Sequence, residues 1–185
     1  MARLTTDRLI LRRWRDADRE PFARINADPR AMEFMPALLS RHESDRVADR
    51  IEAHFRERGF GLYAVELRDD QSFIGFIGLA IPSFRAAFTP CVEIGWRLSA
   101  DRWGKGLATE GARAVVCEAF DILQIKELVS FTVPRNFRSR RVMEKLGMTL
   151  DPSSDFDHPN VADGNPLRRH VLYRLPRITG ASPTP

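Results

Sequence analysis

The hydrophobic pattern of the chain alternates between stretches with the two-residue period of strands and stretches with the longer period of helices. Strand-like runs occur at residues 9–14, 62–67, 73–81, 92–98, 128–133, 148–150 and 170–175. Helix-like runs occur at residues 16–27, 40–59, 108–123 and 136–147. This mixture predicts an α/β (α+β) fold in one domain, residues 1–178, followed by a flexible tail at 179–185.

Local signals predict where several helices begin and end. Ser40 and Glu43 have the spacing of a capping box, and Gly59 suits the end of the helix that they begin. Asp16 has the residue type of an N-cap and is expected to begin the first helix, as Asn136 is expected to begin the last.

The most informative stretch is 101–111, where a strand, a glycine turn and a helix follow one another. Residues 92–98 alternate between two faces, and apolar residues from Ala108 onward recur every three or four positions. Gly104 and Gly106 let the backbone approach a ligand, and the first N–H groups of the helix point outward with the positive end of its dipole. Together these elements predict a cradle for a phosphate group.

Two common phosphate-binding loops do not match this stretch. Gly104 and Gly106 begin like a dinucleotide fingerprint, but Thr109 stands at the third glycine position. Glu127 lies at the sequence distance of the acidic residue that binds the ribose in such a fingerprint. It begins a strand, however, whereas the ribose-binding residue should end one. The sequence has no G-x-x-x-x-G-K-[ST] run. The remaining interpretation is the pyrophosphate loop of an enzyme that uses an acyl-coenzyme A.

Two motifs resemble those of the GCN5-related N-acetyltransferases (the GNAT superfamily). Residues 103–108, Trp-Gly-Lys-Gly-Leu-Ala, are similar to motif A, Q/R-x-x-G-x-G/A, with Trp103 in place of Gln or Arg. Residues 136–148 are similar to motif B, N-x-x-[SA]-x-x-[LV]-x-x-K-x-G-[FM]. The sequence from Trp103 to Glu110 resembles that of the branch that contains the ribosomal-protein N-terminal acetyltransferases.

The resemblance extends over nearly the whole order of elements and implies the GNAT fold. That fold is a mixed, mostly antiparallel sheet of six to seven strands, splayed at a central parallel pair, with four helices. It implies acetyl-CoA as co-substrate, with its pantetheine arm between the splayed strands and a backbone N–H near Arg97 or Leu98 facing the developing oxyanion. The residues that the resemblance assigns to cofactor binding are Arg97, Leu98, Trp103, Gly104, Lys105, Gly106, Leu107, Ala108 and Asn136.

The resemblance also implies catalytic residues. Glu93 precedes Trp103 by the spacing of the catalytic glutamate in related histone acetyltransferases, and it is expected to take a proton from the acceptor amine. Ser139 is expected near the thiol of coenzyme A. Many relatives have a proton-donating tyrosine at the position of Met143, which methionine cannot replace. The alternatives are a surface or salt-bridged role for Glu93 and simple helix capping for Asn136.

Composition restricts the class of protein. Of 185 residues, 43% are hydrophobic and 29% are charged, and no apolar run approaches the roughly 20 residues that span a bilayer. Cys91 and Cys117 stand outside any CxxC or His-rich pattern, so neither a disulfide framework nor a metal site is expected. We therefore expect a cytoplasmic protein without a membrane partner.

The charge balance favours a phosphate-bearing ligand over a nucleic acid. Lys and Arg number 29 against 25 Asp and Glu, and the arginines are dispersed rather than arranged in a stripe with interleaved aromatic residues. A modest positive field suits the phosphates of coenzyme A. Four arginines in and beside the second motif are candidates for its 3′-phosphate: Arg135, Arg138, Arg140 and Arg141.

The acceptor is inferred from the subfamily resemblance, which favours a protein N-terminal amine bound by a monomer or homodimer. A small amine (an antibiotic, polyamine or amino acid) is the first alternative. A non-catalytic acyl-CoA-binding module is the second, because Met143 replaces the tyrosine. Two apolar loops, at residues 34–36 and 84–88, are candidates for the acceptor groove, whereas His158 and His170 receive no role.

Overall fold

One sheet organises the computed structural model, which describes residues 3–178. In this part of the chain the strands are β1 Leu4–Thr5, β2 Leu9–Arg12, β3 Leu62–Leu67, β4 Phe73–Ala80, β5 Glu93–Leu98, β6 Glu127–Thr132, β7 Thr149–Leu150, β8 Phe156–Asp157 and β9 Arg169–Pro176. The helices are α1 Arg19–Ala27, α2 Arg41–Arg58, α3 Leu107–Cys117 and α4 Phe137–Lys145. The tail predicted at 179–185 lies outside the described residues.

The strands are ordered β1-β2-β3-β4-β5-β6-β9-β7, and β8 pairs with β9. Every neighbouring pair is antiparallel except β5 and β6, which are parallel and share one pair of partners, Glu93 and Val129. Beyond that pair the two strands separate. The predicted fold is therefore confirmed: a mostly antiparallel sheet, opened at a central parallel pair, with four helices among the described residues. The sheet of the described residues has nine strands where six to seven were predicted, because β1 and β8, with two residues each, are too short to show a period.

The predicted capping box of α2 is confirmed. The Ser40 hydroxyl oxygen accepts from the Glu43 N–H (3.3 Å), and the Glu43 carboxylate accepts from the Ser40 N–H (2.8 Å). Gly59 ends the helix at φ +79°, a left-handed conformation that favours glycine. These signals lie within a few residues of one another, which is why sequence alone could identify them.

The predicted N-cap at Asp16 is wrong. Asp16 is exposed and begins a 3-10 turn, Asp16–Asp18, ahead of α1. It is Asp18 that accepts from the Arg15 N–H (2.8 Å), and its carboxylate also binds both terminal nitrogens of Arg12 (2.7 and 2.8 Å). A guanidinium buried in the sheet needs a carboxylate partner, and this requirement determines which aspartate faces inward.

The loop predicted at 151–166 also contains structure. A 3-10 turn, Pro152–Ser154, leads into β8, where Phe156 pairs with His170 and Asp157 with Arg169. A two-residue strand is too short to show a period, and its partner lies in β9, so local reasoning missed it.

Strand register divides the sheet into two faces. Ile94 and Leu98 point to the face covered by α3, where they join Ala112 and Val115 in the main core. Glu93, Gly95 and Arg97 alternate with them and point to the opposite face, here called the glutamate face. On that face α1 covers β4, with the Phe22 and Phe76 rings 6.0 Å apart. Arg97 therefore lies beside α1, where its side chain donates to Asn26, and Glu93 lies at the gap between β5 and β6.

The buried ion-pair network at Arg12 gives a prediction about stability. The Arg12 side chain is 9% exposed and binds Asp18 and Glu66, which are 3% and 6% exposed. Arg12→Met removes the buried cation beside both carboxylates and leaves them the N–H and the largely exposed side chain of Arg15, so we expect a loss of about 3–5 kcal/mol in unfolding free energy. Arg41→Met, at an exposed arginine that pairs with Glu20 and Asp45, should cost less than about 1 kcal/mol. Urea denaturation measures both, and equal losses would contradict the assignment.

Candidate active site

The glycine turn has the geometry of an anion site. Gly104 and Gly106 have φ values of +73° and +78°, and Gly106 is the N-cap of α3. The helix begins immediately at Leu107, so the N–H groups of Leu107, Ala108 and Thr109 belong to the first turn, which has no carbonyl partners within the helix. Their dipoles add to the positive end of α3. The predicted succession of glycine turn and helix start is therefore present, and phosphate binding there stays a prediction.

Glu110 fixes this turn to the edge of the sheet. Its carboxylate accepts from the Thr6 hydroxyl (2.6 Å), the Arg8 N–H (2.9 Å) and Arg8 Nε (2.7 Å). Burial pushes the pKa of Glu110 upward, but hydrogen bonds from Thr6 and Arg8 outweigh it and leave the pKa below its usual value. A second nitrogen of Arg8 donates to the Lys105 carbonyl oxygen (2.9 Å). The turn is thus held from outside, with its N–H groups left to the cleft.

A cleft of about 470 Å³ lies in front of these N–H groups. Most of the predicted cofactor residues line it, together with the predicted Ser139: Arg97, Leu98, Trp103, Gly104, Gly106, Leu107, Ala108 and Asn136. Lys105 differs, because it is exposed and meets Arg8 through its carbonyl oxygen. The structure therefore brings together residues from the sheet, the glycine turn and α4 that the sequence motifs had proposed separately.

Along β5, the backbone N–H and C=O groups of every second residue point toward the gap between β5 and β6. The Val129 N–H on β6 donates to the Val92 carbonyl oxygen (2.9 Å). The backbone N–H and C=O groups of even-numbered residues along β5 therefore point toward β6, and those of odd-numbered residues point toward β4. Arg97 N–H is accordingly directed to β4, whereas Trp96 and Leu98 direct their N–H groups to the gap. Of the two predicted oxyanion donors, Leu98 has the suitable direction, and Arg97 contributes its side chain to the cleft wall.

Trp103, which replaces the usual Gln or Arg, joins the turn to β5 and α4. Its indole N–H donates to the Leu98 carbonyl oxygen (2.9 Å), and the Arg138 guanidinium lies 4.5 Å from its ring centroid. Of the four arginines proposed for the 3′-phosphate, Arg138 and Arg141 line the cleft. Arg140 instead donates to Tyr173 and to a backbone carbonyl.

The second motif occupies α4. Asn136 caps the helix by accepting from the Ser139 N–H (3.2 Å), and its side-chain nitrogen donates to the Thr132 hydroxyl (3.0 Å). Capping therefore accounts for part of the hydrogen-bonding capacity of Asn136, as the alternative interpretation held. Met143, at the position of the family tyrosine, is 1% exposed and belongs to the main core.

Glu93 and Arg97 are the two ionisable groups whose burial most changes their chemistry in this region. Burial raises the pKa of Glu93 to about 8, and among the described residues its carboxylate has no hydrogen-bond or ion-pair partner. Burial lowers the pKa of Arg97 to about 10. The Arg97 guanidinium donates to Asn26 Oδ1 (2.7 Å) and lies 5.5 Å from the Phe76 ring. A carboxylate that titrates near neutral pH and lacks a partner has the properties of a general base.

The loop between α1 and α2, residues 28–39, forms one wall of the cleft and is here called the cleft loop. Phe34 and Met35, which the sequence proposed for the acceptor groove, line the cleft. Three contacts tie the loop to surrounding elements: Arg30 with Asp101, Glu33 with Arg138, and Met35 with Arg97.

Sequence reasoning missed a cluster of aromatic rings on the glutamate face. Phe84 and Phe88, from the second predicted loop, pack against side chains from β6, β8 and β9, and each ring is partly exposed. The members are Phe84, Phe88, Phe131, Phe156, His158 and His170, here called the aromatic platform. The alternating pattern of β6 and β9 identifies which residues share a face, but only the register shows that they meet.

A glycine turn at a helix N-terminus, beside a sheet that opens at one parallel pair, is the arrangement that the resemblance to the GNAT superfamily implied. A family model described as the acetyltransferase (GNAT) domain matches residues 8–149. The uncharacterised N-acetyltransferase YoaA of Bacillus subtilis is 30% identical over 149 residues, which cover 78% of this chain and 81% of YoaA. The chain therefore belongs to the GNAT acetyltransferase family.

Solved structures agree with this assignment. An acetyltransferase from Agrobacterium tumefaciens is 28% identical, with a TM-score of 0.76 over 95% of this chain and 94% of that one. RimL, a ribosomal L7/L12 alpha-N-protein acetyltransferase in complex with coenzyme A, is 14% identical, with a TM-score of 0.74 over 95% and 98% of the two chains. At that identity RimL shows the shared fold alone.

None of the helices within residues 3–178 has the length and apolar character required to traverse a bilayer. The same residues contain no group of three or more His, Cys, Asp or Glu side chains placed to hold a metal ion.

Two glycines with the same backbone conformation allow a matched test of the turn. Gly106 and Gly164 have φ values of +78° and +75°, and a Cβ at either would meet no atom closer than 3.6 Å. Alanine at either position should cost about 1–2 kcal/mol in unfolding free energy from backbone strain. Only Gly106→Ala should also weaken acetyl-CoA binding, at least about tenfold, because a charge-assisted hydrogen bond is misplaced. Calorimetric titration and denaturation measure both effects, and equal affinity in the two variants would refute the cradle.

Proposed function

We propose that this protein transfers the acetyl group of acetyl-CoA directly to a primary amine, with Glu93 as the general base. The observation that carries the proposal is the state of Glu93, which is unpartnered, desolvated to a pKa of about 8 and placed where β5 and β6 separate. An ammonium group must lose a proton before its nitrogen can attack a thioester. A base that titrates near the working pH is best matched to that transfer.

The residues that would hold acetyl-CoA follow from the cleft. The first N–H groups of α3, at Leu107 and Ala108, would bind the pyrophosphate, and Arg138 and Arg141 would add positive charge. Polar backbone groups left open by β5 would bind the pantetheine arm, as an added strand would. Bound in this way, acetyl-CoA supplies the thioester whose acetyl group is transferred.

The remaining steps are assigned to side chains and backbone of this chain. The amine nitrogen attacks the thioester carbon, a C–N bond replaces the C–S bond, and the proton of the ammonium passes to Glu93. Leu98 N–H would donate to the oxygen on which negative charge develops. Met143 is buried and cannot protonate the departing thiolate, so we assign that role to Ser139 or to water, aided by a thiol pKa near 8.5.

We favour a protein or peptide N-terminus as the acceptor. Two features support this choice: the resemblance of residues 103–110 to the ribosomal-protein branch, and the shared fold of RimL, whose described substrate is an α-amine of a ribosomal protein. A cytoplasmic location suits the two free cysteines, Cys91 and Cys117. A small-molecule amine is the second candidate, and a non-catalytic acyl-CoA-binding module the third, favoured by Met143.

The role of Glu93 predicts the effect of one substitution and of pH. Glu93→Gln should lower kcat by about 10²–10⁴-fold while leaving the KM for acetyl-CoA unchanged. Because the base acts deprotonated, kcat of the unmodified protein should rise with pH through about 8, the pKa of Glu93. That rise should be absent in Glu93→Gln. Glu57→Gln, at an exposed glutamate on α2, is the control and should keep both rate and profile.

Steady-state kinetics at saturating acetyl-CoA measures these quantities. Retention of the full rate and of the alkaline rise in Glu93→Gln would show that another group is the base. An unmodified protein that binds acetyl-CoA but releases no coenzyme A with any amine would support the binding module.

The acceptor class is tested by one panel of amines. Coenzyme A release is followed with peptides that have free N-termini, with the same peptides blocked at the N-terminus, and with small amines. Turnover that disappears on blocking is expected. Turnover confined to small amines would overturn the N-terminal assignment while leaving Glu93 as the base.

A further inference from the structure

The aromatic platform is a continuous surface built from three strands and two loops, since His158 follows β8. The Phe131 ring on β6 lies 5.4 Å from Phe156 on β8, and Phe156 lies 4.8 Å from Phe88 in the loop between β4 and β5. The imidazoles of His158 and His170 are 5.1 Å apart. Each of these rings is partly exposed, so the platform is an aromatic surface that solvent, or a ligand, can reach.

Strand register places the platform on the glutamate face. Glu93 is the partner of Val129 on β6, and Phe131 follows Val129 by two residues, so Phe131 points to the same side as Glu93. Sheet spacings put the Cα atoms of Phe131 and Glu93 about 8 Å apart. His170 lies two strands across and four residues along from Glu93, about 16 Å away. The platform therefore begins beside the candidate base and extends away from it.

Two arginines next to the platform are already paired. Arg168 lies 2.7 Å from an Asp163 oxygen and also donates to the Val161 carbonyl oxygen. Arg169 faces Asp155 and Asp157 at 3.9 and 3.6 Å. The platform itself consists of four phenylalanine rings and two imidazoles, so it suits an uncharged group.

Hydrogen bonds fix which nitrogen of each imidazole carries the proton. His170 Nδ1 lies 3.0 Å from the Arg168 carbonyl oxygen, which can only accept, so Nδ1 is protonated and Nε2 has the lone pair. His158 Nδ1 accepts from the Asn160 N–H (3.2 Å), so the proton is on Nε2. Burial lowers the pKa of both rings, and the neutral forms prevail at pH 7. The platform thus presents one acceptor and one donor side by side.

We infer that the aromatic platform is the binding subsite for an extended peptide whose N-terminal amine lies at Glu93, which rests on the proposed acetyl transfer. Phe131 and the loop phenylalanines take an apolar side chain near the amine. His170 Nε2 and His158 Nε2–H bind the N–H and C=O of one residue further along.

The chemistry of an extended peptide matches this pair. In an extended chain, the N–H and C=O of one residue point to the same side and can bond to one partner. A span of about 16 Å corresponds to about five residues at about 3.3 Å each, so the histidines would contact a residue within the first five. A small amine fixed at Glu93 cannot reach them. The platform therefore selects both the chemical class of the acceptor and a minimum length.

The first test replaces the imidazoles without removing an aromatic ring. His170→Phe should raise the KM for a six-residue peptide about tenfold, the effect of one lost hydrogen bond. In the same variant, the KM for a dipeptide amide and the KM for acetyl-CoA should stay within about twofold of their values in the unmodified protein. His42→Phe, at an exposed histidine on α2, is the matched control and should change none of these values.

The second test addresses the phenylalanines through the loop, where truncation leaves the strands intact. The double variant Phe84→Ala, Phe88→Ala should raise the KM for a peptide with leucine at its first position about tenfold. The KM for the same peptide with serine at its first position should stay within about twofold of its value in the unmodified protein. Ile122→Ala, at a 70% exposed isoleucine outside the platform, is the control. Thermal unfolding of each variant identifies any that fail to fold.

The outcomes separate this inference from the function on which it rests. If no amine is acetylated by the unmodified protein, the proposed function fails. If peptides are acetylated but His170→Phe affects long and short acceptors equally, or not at all, the peptide subsite is refuted and acetylation stands. Loss of leucine preference in the double variant, with length dependence lost in His170→Phe, establishes the subsite.

Discussion

The early end of pairing between β5 and β6 is the constraint on which the rest of the molecule depends. Backbone polar groups inside a sheet are normally satisfied by the next strand, and those facing the gap after Glu93 and Val129 are not. An extended ligand arm with its own amides can satisfy them. The glycine turn, α4 and the cleft loop all meet at this gap, so one missing stretch of hydrogen bonds determines where every candidate cofactor contact lies.

The main core and the candidate base lie on opposite faces of the sheet. The α3 face carries the main core, in which Met143 and Leu98 are packed. The glutamate face carries several ionisable groups whose pKa values are shifted by burial: a carboxylate without a partner, an arginine with a lowered pKa, and two neutral histidines. Such groups reduce stability unless a ligand completes them, and for that reason they mark functional surfaces. The core on the other face supports this arrangement.

Sequence alone predicted the features whose causes are local. The left-handed glycines, the stripe of α3 and the Ser40 capping box are each set within a few residues, and all three are confirmed. Asp18 was missed because its burial depends on Arg12, whose other partner, Glu66, lies in β3. The histidines of the platform were missed because β8 and β9 bring them together across a loop. In both cases the deciding contact is distant in sequence, and no periodic pattern encodes it.

The ion pairs of the cleft loop are more exposed to solvent than the ion-pair network of Arg12. Arg30 and Asp101 are 61% and 72% exposed, and Arg138 and Glu33 are 55% and 50% exposed, whereas the Arg12 network is buried. Dissolved ions screen exposed charges over about 8 Å at physiological ionic strength and affect buried pairs much less. Added salt therefore acts unevenly on this molecule. It loosens the cleft loop, which a polyanionic cofactor must pass to enter the cleft, at salt concentrations well below those that weaken the buried Arg12 network.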